Sequence, residues 1–180
     1  MCRFLLPFAL VLMTGAQGTV GAFAEDLKTT AEEVFMKEIQ ADGQAWQYSG
    51  VTLSKGFTAT ITASGTWTIN ETWDKKVGAG GNPEYDASDA YVKPGAHEGS
   101  LLIRVGDTIL AFSKDDETIH ISTPGKIYFC ANDVATSDGL NKAETFLGGI
   151  PIQPGKDAHG SGFQDNDGII KVRVGVSKSK

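Results

Sequence analysis

The chain has 180 residues and carries 16 Lys and Arg against 22 Asp and Glu, a formal net charge of −6. That length allows one substantial hydrophobic core. The acidic balance offers no basic stripe to displace counterions, which argues against nucleic acid as a partner.

The first segment is not expected to belong to the fold. Met1 to Ala24 has one basic residue, Arg3, then the apolar run "FLLPFALVLM" and a small-residue exit "AFA" before Glu25. This is the pattern of a secretory signal peptide cut near Ala24. The run is too short to span a bilayer. Residues 1–24 are therefore read as a leader and the mature protein as secreted or periplasmic. Cys2 leaves with the leader, so Cys130 in "IYFCAND" has no disulfide partner within the monomer and is read as a buried apolar side chain.

Next comes "TTAEEVFMKEIQADG". Thr30 and Glu33 have capping-box spacing, Ala31, Val34 and Phe35 fall on one helical face, and Gly43 is a natural stop. The segment 25–45 is predicted to hold one short helix. From Trp46 onward the helical period gives way to Thr, aromatic and β-branched residues. "WQYSGVTLSKG" and "FTATITASGTWTIN" predict two successive strands.

A long Gly-, Pro- and Asp-rich stretch follows, "ETWDKKVGAGGNPEYDASDAYVKPGAHEG". Trp73, Tyr85 and Tyr91 give it more aromatic content than a disordered linker carries, so it is predicted to be an ordered, functional loop. Strands resume at "SLLIRVGD", "TILAFS", "ETIHIS" and "KIYFCAND". A second insert spans 134–162. In the final strand Ile170, Val172, Val174 and Val176 alternate with Lys171, Arg173 and Gly175, the period of a half-buried strand. Short strands without βαβ alternation predict an all-β chain: an antiparallel β-sandwich, jelly-roll in type, over 46–177, preceded by the short N-terminal helix.

Oxygen-bearing side chains gather at two strand ends. Asn132-Asp133 close "FCAND", and Asp165-Asn166-Asp167 open "FQDNDG". If those ends share one mouth of the sandwich, Asp133, Asp165 and Asn166 converge. Carboxylates, an amide and loop carbonyls are the hard ligands that Ca²⁺ takes. Turn formation by Asp and Asn explains any one of these residues equally well. Asp167 is assigned to the turn rather than to an ion. "DNDG" lacks the first acid, the closing Glu and the flanking helices of an EF-hand. His97, His120 and His159 are too scattered for zinc. No nucleophile elbow and no paired-acid motif stands out, so the chain is not read as an enzyme.

"WQYSGVTLSKGFTATITASGTW", "GSLLIRVGD", "GKIYFCAND" and "DNDGIIKVRVGV", in that order, resemble the calcium-dependent galactose-binding lectins of the bacterial PA-I type. The resemblance covers most of Trp46 to Val176. It implies a jelly-roll with one calcium ion at its mouth, bridging the protein to sugar hydroxyls. The implied metal ligands are Asp133, Asp165, Asn166 and the backbone carbonyl of Asn70. Asp165 stands where the family has an amide, which keeps the oxygen and adds charge. The family's sugar-holding His-Pro-Asp-Gln stretch corresponds to "EYDASDAY", which has Asp86 and Asp89 but no His or Gln. The corresponding sugar contacts are Asp86 and Asp89, with Asp133 and Asn166 beside the ion. A sugar site also needs an exposed aromatic face, for which Trp73, Tyr85 and Tyr91 are the candidates, although an aromatic in a long loop equally serves to pin that loop to the sandwich. The expected partner is carbohydrate, galactose or a galactoside, with a homo-oligomer compensating a weak single site. A calcium-stabilised interaction domain without a sugar ligand is the alternative.

Overall fold

The computed structural model describes residues 32–43, 46–69, 75–134, 163 and 165–179. The segment 1–24 predicted as a leader, Asn70, Trp73 and nearly all of the second insert lie outside them. Among the described residues there is no helix, so none is long and apolar enough to cross a membrane.

Eleven strands follow one another: β1 (Glu33–Gln40), β2 (Gln47–Leu53), β3 (Phe57–Thr68), β4 (Lys76–Val77), β5 (Asn82–Asp86), β6 (His97–Glu98), β7 (Leu101–Val105), β8 (Thr108–Ala111), β9 (Ile119–Ile121), β10 (Gly125–Ala131) and β11 (Asp167–Lys178). One sheet has the order β1-β11-β3-β4, with β9 also paired to β3, and the other has the order β2-β10-β7-β8. Both are antiparallel. They pack as an antiparallel β-sandwich, as the strand spacing predicts.

The alternation read in β11 holds from Ile170 to Val174; beyond it Gly175 is buried and Val176 only partly so. Ile170, Val172 and Val174 are fully buried and face Ile39, Ile61 and Trp67 from their own sheet, with Leu53, Ile103, Ile127 and Phe129 from the opposite one. The β3–β11 ladder runs for twelve residue pairs, from Phe57 opposite Lys178 to Thr68 opposite Asp167. Gly168, the second residue of β11, pairs with Trp67 at φ +106°. A Cβ there would sit 2.8 Å from both the Thr66 carbonyl and the Trp67 Cα, so only glycine lets the strand begin so close to Trp67.

The N-terminal helix is a correction. Glu33–Gln40 is a strand, paired along its whole length with β11 from Glu33 opposite Val176 to Gln40 opposite Ile169. Spacing that suggested a helical face instead serves a strand whose inward side carries Phe35 and Ile39. β11 offers eight residues of ladder, and that tertiary pairing overrides a weak local helix preference.

The first long loop is described from residue 75 onward. β5 and β6 form a small ribbon within it, and a bridge pairs Tyr91 with Val134 at the end of β10.

Candidate functional site

The site forms where the end of β10 meets the start of β11. These strands belong to opposite sheets, so the two oxygen-rich stretches face each other across the sandwich instead of lying side by side. A chain of hydrogen bonds stitches the layers at this end. Trp67 Nε1 donates to the Gly99 carbonyl (2.8 Å), the Gly99 N–H to the Asn132 carbonyl (2.8 Å), and the Asn132 N–H to the Ser100 carbonyl (2.8 Å).

Asn132 is the clamp on the first loop. It is fully buried, its Nδ2 donates to the carbonyls of Lys93 and His97 (both 3.1 Å), and its Oδ1 accepts from the Lys93 N–H (2.9 Å). Asn132→Ala would leave those loop groups without partners in a dry place. A loss of about 2–4 kcal/mol is expected in urea unfolding at fixed pH, whereas Asn132→Asp should retain part of it through the Lys93 contact.

Asp133 lies beyond the clamp and is only 4% exposed. Its backbone carbonyl accepts from Val92 N (3.0 Å), and its Oδ1 accepts from the Val134 N–H (2.6 Å). Its Oδ2 is buried and has no hydrogen-bond donor. Burial is the main force on this carboxyl and pushes its pKa up to about 8. The Val134 N–H opposes the shift, as does the Asn166 amide wherever its N–H side is turned to Asp133, while the charges of Asp165 and Glu98 add to it.

Asn166 arrives from the other layer, 6% exposed. Its Nδ2 donates to the Ala41 carbonyl just past β1 (3.2 Å), and its Oδ1 is buried without a donor. Turning the amide over would offer N–H toward Asp133 but set its oxygen against the Ala41 carbonyl. With Asp133 ionised the cluster is one donor short in either orientation; a proton on Asp133 or a cation are the two ways to satisfy it. Two acceptors are therefore buried close together, with three carboxyl groups (Asp133, Asp165 and Glu98) acting on the same space. A cation satisfies such acceptors without needing a proton donor. Among the described residues no three His, Cys, Asp or Glu side chains form a metal-holding group. A cation here would therefore rely on the Asn166 amide and on carbonyl oxygens as well as on carboxylates.

Glu98 is a participant that sequence reasoning missed. It is 8% exposed, and its Oε1 accepts from the Tyr91 hydroxyl at 2.6 Å. Burial first, and Glu98 second, push that phenol far above its usual range. No local motif marks Glu98; only the fold brings its charge to Asp133.

The remaining candidates separate by exposure. Tyr85 is 41% exposed, with its ring 6.2 Å from that of Tyr91. Asp86 is exposed and its Oδ1 lies 3.9 Å from His97 Nε2, while His97 Nδ1 is 3.0 Å from the Gly80 carbonyl. Asp89 is exposed on a turn of the same loop. All three sit on the exposed rim of the first long loop, which reaches the site through the Tyr85–Tyr91 ring contact and the Tyr91–Glu98 hydrogen bond. Tyr91 corrects the reading of the loop aromatics: at 7% exposure it faces inward, holding Glu98 instead of offering a face to solvent. Asn70 and Trp73 lie outside the described residues. Cys130 is fully buried, and burial holds its thiol well above the ordinary range, which agrees with the inert reading.

No protein-family model matches the chain, and no curated protein matches it either. Among solved structures it is similar to one described as "EclA N-terminal domain; PllA-like lectin", with a TM-score of 0.46 and 16% identity, covering 81% of this chain and 96% of that one.

Proposed function

We propose that the chain is a calcium-dependent carbohydrate-binding domain, exported by its N-terminal segment, in which Ca²⁺ joins the sandwich mouth to sugar hydroxyls. The observation that carries this reading is the pair of buried acceptors without donors, Asp133 Oδ2 and Asn166 Oδ1. Asp133, Asp165 and Asn166 would hold the ion, with Asn70 contributing a backbone carbonyl as the family resemblance implies. Bound calcium would supply a hard Lewis-acidic centre on which sugar hydroxyls replace water.

The chain's own residues set the rest. Asp133 and Asn166 are buried, which suits holding an ion. Sugar contact then falls to the rim, where Tyr85 offers an exposed ring and Asp86 and Asp89 offer acceptors for hydroxyls. Galactose, the sugar implied by the resemblance, is the first ligand to try. Binding by a single small site is expected to be weak.

The test is retention on galactoside-substituted resin with calcium, followed by chelator. Retention in calcium with release by chelator is the expected result. Retention that persists in chelator would remove the bridging ion from the account. Measured calcium binding without retention on galactoside or on a broad glycan array would favour the alternative, a calcium-stabilised interaction domain. The inward turn of Tyr91 is the observation on that side.

A further inference from the structure

β1 leaves one side open. Among the described residues its only strand partner is β11. At Gln40 the backbone N–H and carbonyl point away from β11 and are held by the side-chain amide of Gln47, at 3.0 and 2.8 Å. The N–H of the next residue, Ala41, turns back to the Gly168 carbonyl (3.1 Å). The alternation of an antiparallel ladder then aims the backbone groups of Val34, Met36 and Glu38 outward, in the same direction as those of Gln40. Gln47 closes the edge at one end. From Val34 to Glu38 no strand among the described residues closes it.

The side chains there are apolar and exposed. Met36 at 66% and Val34 at 45% are the two most exposed large hydrophobic residues among those described. An edge of this kind is a template for another strand.

We propose that this edge joins two copies of the chain, with β1 pairing antiparallel to β1 of the second copy across a two-fold axis at Phe35. The register follows from the residues. Outward-aimed groups must meet outward-aimed groups, so only shifts by whole two-residue steps are permitted. With Phe35 opposite Phe35 of the second copy, Val34 meets Met36 and Glu33 meets Lys37, each twice by symmetry. One step in one direction sets Val34 against Glu38 and Phe35 against Lys37. One step in the other sets Met36 against Glu32 and Phe35 against Glu33. Only the Phe35-centred register matches apolar with apolar and acid with base.

Its one like-charge meeting, Glu32 with Glu38, is already neutralised within each copy. Glu32 is paired with Arg173 at 2.9 Å and Glu38 with Lys171 at 3.7 Å. Pairing along one edge covers less surface than a standard stable interface, so the dimer is expected to be concentration-dependent, with a dissociation constant in the micromolar range or weaker.

Sedimentation velocity on the purified mature protein, from about 1 μM to about 500 μM, tests this directly. The expected result is a monomer passing to a dimer. Met36→Glu should raise the concentration needed at least tenfold while leaving the monomer folded, because position 36 is exposed and lies opposite Arg173 in β11. Glu33→Lys should weaken dimerisation, and adding Lys37→Glu should restore it, which general destabilisation does not predict. Chains carrying Val34→Cys and Met36→Cys should form a disulfide with each other when mixed and oxidised. A monomer at every concentration overturns the proposal. So does a dimer indifferent to Met36→Glu and to the charge exchange, which would place the contact elsewhere. If a segment of the same chain fills the edge, the amides of Val34, Met36 and Glu38 will resist hydrogen exchange at every concentration in a monomeric protein, and that also overturns it.

Discussion

Calcium is expected to raise the melting temperature of the protein, and Asp133→Ala to abolish the rise. An ion that binds the folded chain and not the unfolded one stabilises by about 2.7 kcal/mol at a hundredfold excess over its dissociation constant. For a domain of this size that corresponds to roughly 5–10 °C. Asp133 supplies the buried oxygen without a donor, so its removal takes away the buried carboxylate beside the Asn166 amide. Asp165→Asn should behave differently. It keeps an oxygen and loses a charge, so the full rise should return at roughly tenfold higher calcium. Differential scanning fluorimetry against a calcium series, with each variant alongside, reads both effects. An equal rise in the native protein and in Asp133→Ala would place the ion somewhere else. No rise in either would leave the orphaned acceptors to another donor and withdraw the calcium step from the sugar proposal.

The sequence made the sandwich legible because its strands alternate strongly. Ile170, Val172 and Val174 announce which side of β11 is buried, and Ala59 and Ile61 do the same for β3. The failure at β1 has a physical cause. This is an edge strand, so its inward side is only partly covered: Lys37 lies between Phe35 and Ile39 and remains exposed, and the outward side carries Val34 and Met36. Apolar residues on both sides erase the two-residue period and leave a pattern that a helix fits as well. What decides is β11, more than 130 residues later in the chain.

The site was half legible for a similar reason. Asp133 and Asn166 stand out because oxygen-rich residues at two strand ends have few structural explanations once they share a mouth. Asn132 was visible only as Asp133's neighbour, although it carries the clamp on the loop. Glu98 gave no sign at all. Its effect on Asp133 depends on the fold returning residue 98 to the end of β10, and its own hydrogen bond comes from Tyr91, a loop aromatic that the sequence offers equally as a sugar contact or as a pin.

The same burial predicts how stability depends on pH once calcium is removed. The Asp133 carboxyl is raised to about 8 in the folded chain from an ordinary value of 3.8. The folded state therefore holds a proton that the unfolded state releases, and stability must fall as pH rises through that window. A shift of about four units corresponds to at most about 6 kcal/mol at 1.36 kcal/mol per unit, lost between roughly pH 4 and pH 8. In chelator the melting temperature should thus drop steadily from pH 5 to pH 8. Calcium should flatten the curve, because the ion favours the ionised carboxylate that burial alone penalises. Asp133→Asn should flatten it without calcium, and at pH 8 in chelator this variant should melt above the native protein. Its amide carries no charge to bury and offers the N–H that Asn166 Oδ1 lacks. Thermal melts of both proteins across that pH range, with and without calcium, decide the matter. A fall in Asp133→Asn as steep as in the native chain would trace the pH dependence to other groups. A native chain with a flat profile in chelator would mean that Asp133 is already ionised and paired, removing the electrostatic reason to place a cation beside it.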